Sequence, residues 1–156
     1  MSRRLAHGKG PAEKWGWKPF GFGDYGYPEF YMTASSFTIW ALVTWGSVSV
    51  NPLQAILVLV GALLYNEYYL VPLYEGAYGA SWVHNVQAGY CWYHHFIKGK
   101  TQLPLVLGSW AEIAGDLGAI AQEMYQNKGV MYNHKIHMHG ATVGFIAAML
   151  LDRFNF

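Results

Sequence analysis

The chain has 156 residues, of which 53% are hydrophobic and 12% are charged. A soluble domain carries roughly 25% charged residues, so this chain has too few charges to cover the surface of a small globule. The net charge of +1 gives no argument for a nucleic-acid partner, and the single cysteine, Cys91, excludes an internal disulfide. Aromatic residues make up 17% of the chain, with 7 Trp and 12 Tyr, which is typical of helices anchored at membrane interfaces.

Residues 1–29 form a polar arm rich in glycine, proline and aromatic residues, and half of the ten lysines and arginines fall within its first eighteen positions. Glycine and proline at this density interrupt helices and strands alike. We therefore expect an extended arm that lies on lipid headgroups or on a partner subunit. Residues 30–156 are predicted to form a helical membrane domain.

Residues 30–66 contain no charged side chain. This stretch is too long for one membrane span of about 20 residues and suits two spans joined by a tight turn. Asn51 is a favourable N-cap, Pro52 fits the first helical position, and Gln54 lies where a capping box places Glu or Gln. The sequence predicts a hairpin of two helices, at about 31–50 and 52–71.

Two further segments are less uniformly apolar. The third, at about 78–97, places His84 and His95 on one helical face. The fourth, at about 104–125, is amphipathic and carries a stripe of three acids, Glu112, Asp116 and Glu123. We expect this stripe to face a partner subunit, or the helix to lie along the membrane interface.

The fifth segment, at about 134–151, contains Gly140, Gly144 and Ala148 at intervals of four residues. Small residues at this spacing allow two membrane helices to approach closely, so we expect a helix-packing face here. The predicted fold class is an all-α polytopic integral membrane protein. It consists of an N-terminal helical hairpin and two or three further short or amphipathic helices.

Four histidines are candidate cofactor ligands, either His84 with His95 or His134 with His137, which are one helical turn apart. Imidazole is a suitable ligand for haem iron and for chlorophyll magnesium. The alternative is that these histidines lie at the interface and bond to backbone carbonyls. Neither repeated paired-histidine boxes nor the Glu-x-x-His pattern of di-iron bundles is present, so we expect no catalytic metal.

The pattern His137-x-x-Gly140-x-x-x-Gly144-x-x-x-Ala148 resembles the last core helix of rhomboid intramembrane proteases. The resemblance covers about a dozen residues and implies that His137 occupies the position of the catalytic base. The Gly-x-Ser-Gly nucleophile motif of that family is missing, because the nearest sequence is Gly108-Ser109-Trp110-Ala111. The resemblance therefore implies a shortened, inactive relative.

Together these features favour a non-catalytic accessory subunit of a large energy-transducing membrane complex, with a mitochondrial respiratory complex or ATP synthase preferred. The expected location is the mitochondrial inner membrane, with the plastid thylakoid as the alternative. The expected partners are other membrane subunits and the bilayer, with bound lipids and no nucleic acid. The second hypothesis is a haem-, chlorophyll- or quinone-binding subunit of an electron-transfer or photosynthetic complex.

Overall fold

A computed structural model describes the backbone of residues 27–70, 79–125 and 130–156, and the side chains of 34–69, 82–118, 120–121 and 138–156. Within these ranges every regular element is a helix and no strand occurs, so the all-α prediction is confirmed. None of the helices in this part of the chain combines the length and the apolarity of a membrane span. Most of the predicted arm, and the predicted stop of the fourth helix at 126–129, lie outside the described residues.

The described residues form a bundle of five helices, and two of these helices continue into a wider π-helical turn. They are α1 (Tyr27–Val50), α2 (Pro52–Tyr65, then a π-turn at Asn66–Leu70), α3 (Gly79–Trp92, then a π-turn at Tyr93–Ile97), α4 (Leu103–Tyr125) and α5 (Val130–Arg153). Helix α1 begins four residues before the predicted start at 31. Proline fits the first turn of a helix, and Pro28 therefore lies inside α1 rather than stopping it.

The turn between α1 and α2 has the predicted cap. Asn51 is extended, with φ −160° and ψ 111°, and its side chain accepts a hydrogen bond from the backbone N–H of Gln54 at 3.2 Å. The Gln54 side chain, however, turns into the bundle and accepts a hydrogen bond from the Tyr90 hydroxyl at 2.8 Å. The cap is thus confirmed, while burial of position 54 gives the expected capping-box side chain another partner.

Helix α3 is the centre of the bundle, because every residue from Trp82 to Cys91 is buried. One apolar cluster joins α3 to α2 and α5 through Val58, Val86 and Ala148. A second cluster joins α3 to α1 and α4 through Val43 and Leu105. A helix with neighbours on all sides has no solvent face, which is why α3 shows so little separation of polar and apolar residues.

The predicted small residues of α5 lie against α3. Added methyl groups at Gly140 and Gly144 would meet the backbone carbonyls of Trp82 and Val86, and at Gly144 the overlap would be severe. Ala148, one turn further on, is fully buried in the cluster with α3. The two backbones therefore approach closely along this line.

The α1–α2 turn and the α3–α4 connection lie at the same end of the bundle as the end of α5. At this end the Asn51 side chain donates a hydrogen bond to the Phe156 carbonyl at 3.5 Å, and Lys98 Nζ lies 3.0 Å from an Asp152 carboxylate oxygen. We call this end, comprising the α1–α2 turn, residues 96–103 and residues 152–156, the basic end. Residues 65–69, Trp82 and His139 lie towards the opposite end.

Candidate functional site

The interior of the bundle contains many polar side chains. Nine polar or charged residues are buried among the described side chains: Ser47, Gln54, Asn66, His84, Asn85, Gln87, His94, Ser109 and Glu112. Over the same ranges, 23 large apolar side chains are exposed. Fourteen hydrophobic residues are buried in the same ranges, so the interior mixes polar and apolar side chains, whereas polar residues are mostly exposed in proteins that fold in water. This polar interior is the strongest candidate for a functional site.

Glu112 and His84 form the most deeply buried charged contact. A Glu112 carboxylate oxygen on α4 lies 3.1 Å from His84 Nδ1 on α3, and the two side chains are 1% and 6% exposed. Asp116 lies one turn further along α4 and is partly buried. A carboxylate removed from solvent needs a partner of this kind, because an unpaired buried charge is strongly unfavourable.

Within the described bundle Glu112 is buried beside His84, whereas the sequence analysis expected it on a surface that faces a partner subunit. The polar stripe of α4 turns towards α3, where an imidazole is available for pairing. Asp116 follows on the same side of the helix at partial exposure, and the Glu123 side chain lies outside the described residues. The sequence could not show whether this face of α4 packs against α3 or against a partner subunit, because both arrangements bury the same residues.

Polar contacts connect the central helix to each of its neighbours. The Tyr90 hydroxyl donates to Gln54 on α2 at 2.8 Å, and the Gln87 amide donates to the Thr44 hydroxyl on α1 at 3.0 Å. Two indole N–H groups complete the set. Trp92 donates to the Ser109 carbonyl on α4 at 3.0 Å, and Trp82 donates to His139 Nδ1 on α5 at 3.3 Å.

The candidate cofactor ligands on α3 have protein partners. His84 pairs with Glu112, and His95 Nδ1 lies 2.7 Å from the carbonyl oxygen of Lys100. Eleven residues of helix separate the two histidines by about 16 Å, so they would have to bind two different groups. The side chains of His134 and His137 lie outside the described residues. No group of three potential metal ligands comes together among the described residues.

His94 is a buried residue that the sequence did not single out. It is 1% exposed, its ring lies between those of Tyr90 and Tyr93 at centroid distances of 4.6 and 5.1 Å, and neither ring nitrogen has a hydrogen-bond partner among the described residues. Its position in a π-helical turn is notable because such turns occur frequently at functional sites. The adjacent His94 and His95 could not be told apart by pattern, since both follow a helix that is enclosed on all sides.

A second charged cluster lies at the basic end. Asp152 accepts hydrogen bonds from Lys98 Nζ and from the Tyr93 hydroxyl, each at 3.0 Å. The Lys98 ammonium, followed by the Tyr93 hydroxyl, holds the pKa of the Asp152 carboxyl below its usual range. The same carboxylate raises the pKa of Lys98. The contacts join the end of α3 to the end of α5.

Comparison with protein families, with curated proteins and with solved structures gave no match to this chain.

Proposed function

We propose that this protein is a non-catalytic accessory subunit of a large energy-transducing membrane complex, embedded in the bilayer as a small helical bundle. The observation that carries the proposal is the distribution of polarity, with nine polar side chains buried in the bundle and 23 large apolar side chains exposed on it. In water that exterior would be unfavourable, because exposed apolar area is costly and monomers rarely expose large apolar patches. In hydrocarbon the same arrangement is favourable.

The outward face of α2 illustrates the pattern most clearly. Six large aliphatic side chains on this helix are 40–57% exposed: Leu53, Ile56, Leu57, Val60, Leu63 and Leu64. Gln54, which follows Leu53 in the same helix, is buried and adds little polarity to the surface, because its side chain bonds to Tyr90 inside the bundle. An average of hydropathy along a helix counts inward and outward residues together. The surface that would meet lipid is therefore more apolar than the helix as a whole.

The surface of α4 supports assignment as a subunit. Ala114, Gly118 and Ala121 are exposed beside Leu117, and an added methyl group at Gly118 would meet no atom of this chain within 4 Å. Small residues of this kind allow a neighbouring helix to approach closely within a membrane. A mitochondrial respiratory complex or ATP synthase in the inner membrane is the first assembly to test. A thylakoid complex is the second.

The test combines membrane extraction with native electrophoresis. The tagged chain, expressed in its own organism, is expected to stay in the pellet after alkaline carbonate washing and to migrate after mild detergent extraction in a complex far larger than 17.6 kDa. Release by carbonate would contradict the membrane location. Retention in the pellet with migration as a free small species would contradict the role as a subunit.

A second candidate function is the binding of haem or chlorophyll, and the observation that favours it is the unpaired imidazole of His94. A buried imidazole without hydrogen bonds is unfavourable unless something else occupies its nitrogens. The purified protein would then show a Soret or chlorophyll band that His94→Leu abolishes and that His95→Leu leaves in place. A colourless preparation from native membranes would eliminate this function.

A further inference from the structure

Three basic side chains lie together at one end of the bundle. The lysines and arginines whose side chains the structure describes are Lys98, Lys100 and Arg153, and all three lie at the basic end. Lys98 and Lys100 belong to the connection between α3 and α4, Arg153 is the last residue of α5, and the ion pair from Lys98 to Asp152 at 3.0 Å brings the two segments together.

The carboxylate at this end, Asp152, already binds two other side chains. Among the described side chains of the basic end, Asp152 is the only carboxylate, and it is shared between Lys98 and Tyr93. Three cations against one carboxylate leave a formal excess of two positive charges. Lys100 and Arg153 therefore present positive charge that this part of the chain does not neutralise.

Large apolar side chains are exposed at the same end of the bundle as these cations. Six of them are 46–70% exposed: Leu53, Phe96, Ile97, Leu103, Phe154 and Phe156. Cations next to exposed aromatic and aliphatic side chains match the chemistry of an anionic lipid leaflet, in which phosphate groups lie immediately above acyl chains. An end of the bundle that faced only water would be expected to carry polar residues at these positions.

Hydrogen bonds hold the segments of the basic end in place. His95 Nδ1 contacts the Lys100 carbonyl at 2.7 Å, in a connection that turns at Gly99 with φ +69°. After Arg153 the backbone N–H of Phe156 donates to the Leu151 carbonyl at 3.0 Å, with Asn155 at φ 56° between them. Binding to a surface that is already ordered loses less conformational entropy than binding to a flexible one.

We propose that the basic end is a binding site for anionic phospholipids. Lys100 and Arg153 bind the headgroup phosphates, and the six apolar side chains enter the upper part of the acyl region. Among the described side chains, the opposite end carries the exposed acid Glu67 beside Tyr68 and Tyr69. The inference rests on the proposed membrane location and adds the lipid class and the residues that recognise it.

The test measures lipid competition for the full chain reconstituted in phosphatidylcholine vesicles. Brominated lipids quench tryptophan fluorescence on contact, and brominated phosphatidylglycerol is compared with brominated phosphatidylcholine at equal mole fraction. We expect the wild type to bind phosphatidylglycerol more strongly. The relative affinity should fall about fivefold for each cation removed, first in Arg153→Gln and further in Lys100→Gln/Arg153→Gln, from about 1 kcal/mol per cation near an anionic surface.

Two variants control for fold and charge. Arg153→Lys keeps the cation and should keep the preference. Lys135→Gln removes one cation from the same helix, eighteen residues or about 27 Å from Arg153, and should also keep it. Equal quenching by the two lipids in the wild type would overturn the lipid site while leaving the membrane location intact. Absence of quenching even by brominated phosphatidylcholine would instead contradict the membrane location itself.

Discussion

At the residue scale, polar side chains on α3 contact polar side chains on each of three neighbouring helices. Gln87 bonds to α1, Tyr90 to α2, and His84 pairs with Glu112 on α4. Each bond lies in the interior, where a missing partner costs more than the bond itself contributes. Such contacts therefore specify one register and one rotation of each helix, and alternatives would leave polar groups unpaired.

Replacing one member of the His84 and Glu112 pair should destabilise the bundle more than replacing both. Glu112→Leu alone is expected to lower the free energy of unfolding by about 3 kcal/mol, because it leaves a buried polar ring without its carboxylate. His84→Leu/Glu112→Leu should lie closer to the wild type, since two apolar side chains need no partner. Denaturant unfolding in mild detergent, followed by tryptophan fluorescence, measures the unfolding free energies of the wild type, the two single variants and the double variant. Additive effects would show that the two residues do not interact.

The contact between Lys98 and Asp152 predicts a dependence of stability on pH. The folded-state pKa of Asp152 is lowered, so its contribution is complete above the unfolded pKa of about 3.9 and is lost as the pH falls through the folded value. The folded-state pKa of Lys98 is raised, so its contribution is complete below about 10.4 and is lost as the pH rises through the folded value.

The difference in Tm between the wild type and Asp152→Asn should therefore be constant from about pH 5 to pH 9 and shrink towards both extremes. Thermal unfolding followed by circular dichroism across this range measures it. The matched control is Glu67→Gln, which removes one negative charge from an exposed side chain at the other end of the bundle. A difference that is unchanged in strong acid would assign the effect of Asp152→Asn to packing.

At the element scale, the contact between α3 and α5 depends on the absence of side chains. Gly89 faces the carbonyl of Ala141, and Gly144 faces the carbonyl of Val86, so each helix provides a glycine for the backbone of the other. This close approach allows side chains of α3 and α5 to contact each other: Val86 and Ala148 share an apolar cluster, and Trp82 donates a hydrogen bond to His139. The spacing of small residues predicts a packing face, but the helix that occupies it is known only from the fold.

Gly144→Ala should separate these two helices. The added methyl group would overlap the Val86 carbonyl, and we expect a loss of about 3 kcal/mol in unfolding free energy, at the upper end of the usual cost of overpacking. Gly61→Ala is the control, because nothing lies within 4 Å of its added methyl group and alanine is favoured over glycine in a helix by about 1 kcal/mol. Equal stability changes in the two variants would contradict the close contact.

At the scale of the whole molecule, the distribution of polarity decides which solvent surrounds the bundle. Among the described side chains, nine polar residues are buried together with 14 hydrophobic ones. The outer surface carries 23 exposed large apolar side chains, more of which a bundle in water would be expected to bury. A charge placed on this apolar surface should have a small effect if the bundle is surrounded by water and a large one if it is surrounded by lipid.

Val60→Lys tests that distinction directly. Val60 lies in the middle of α2 and is 47% exposed, so in water the change should alter stability by less than about 0.5 kcal/mol. In the proposed membrane location it should disfavour insertion by about 3 kcal/mol, which a glycosylation-tag insertion assay measures. The control, Tyr68→Lys, replaces a side chain that is 81% exposed near the end of the helix and should insert normally. Normal insertion of both variants would argue against lipid around α2.

Local sequence signals were enough to predict the described helices and the turn between α1 and α2. Asn51 and Pro52 fix the start of α2 through a side-chain cap and a preset backbone angle, and both act over a few neighbouring residues. For the same reason the lengths of α3 and α4 could be predicted closely. The starts of α1 and α5 were predicted less well, since each helix begins four residues before its predicted start; at α1, Pro28 allows a helix to begin as readily as it prevents one from continuing.

The directions in which the polar side chains point could be found only from the packing of the helices. The acidic stripe on α4 shows that one face of this helix is more polar than the other. Whether Glu112 on that face meets a partner subunit or His84 depends on a residue 28 positions earlier in another helix. The isolation of His94, the pairing of Gln54 with Tyr90 and the grouping of Lys98 with Asp152 have the same origin. Local signals act within a few residues, whereas the pairing of buried polar groups depends on the relative rotation of helices that are distant in sequence.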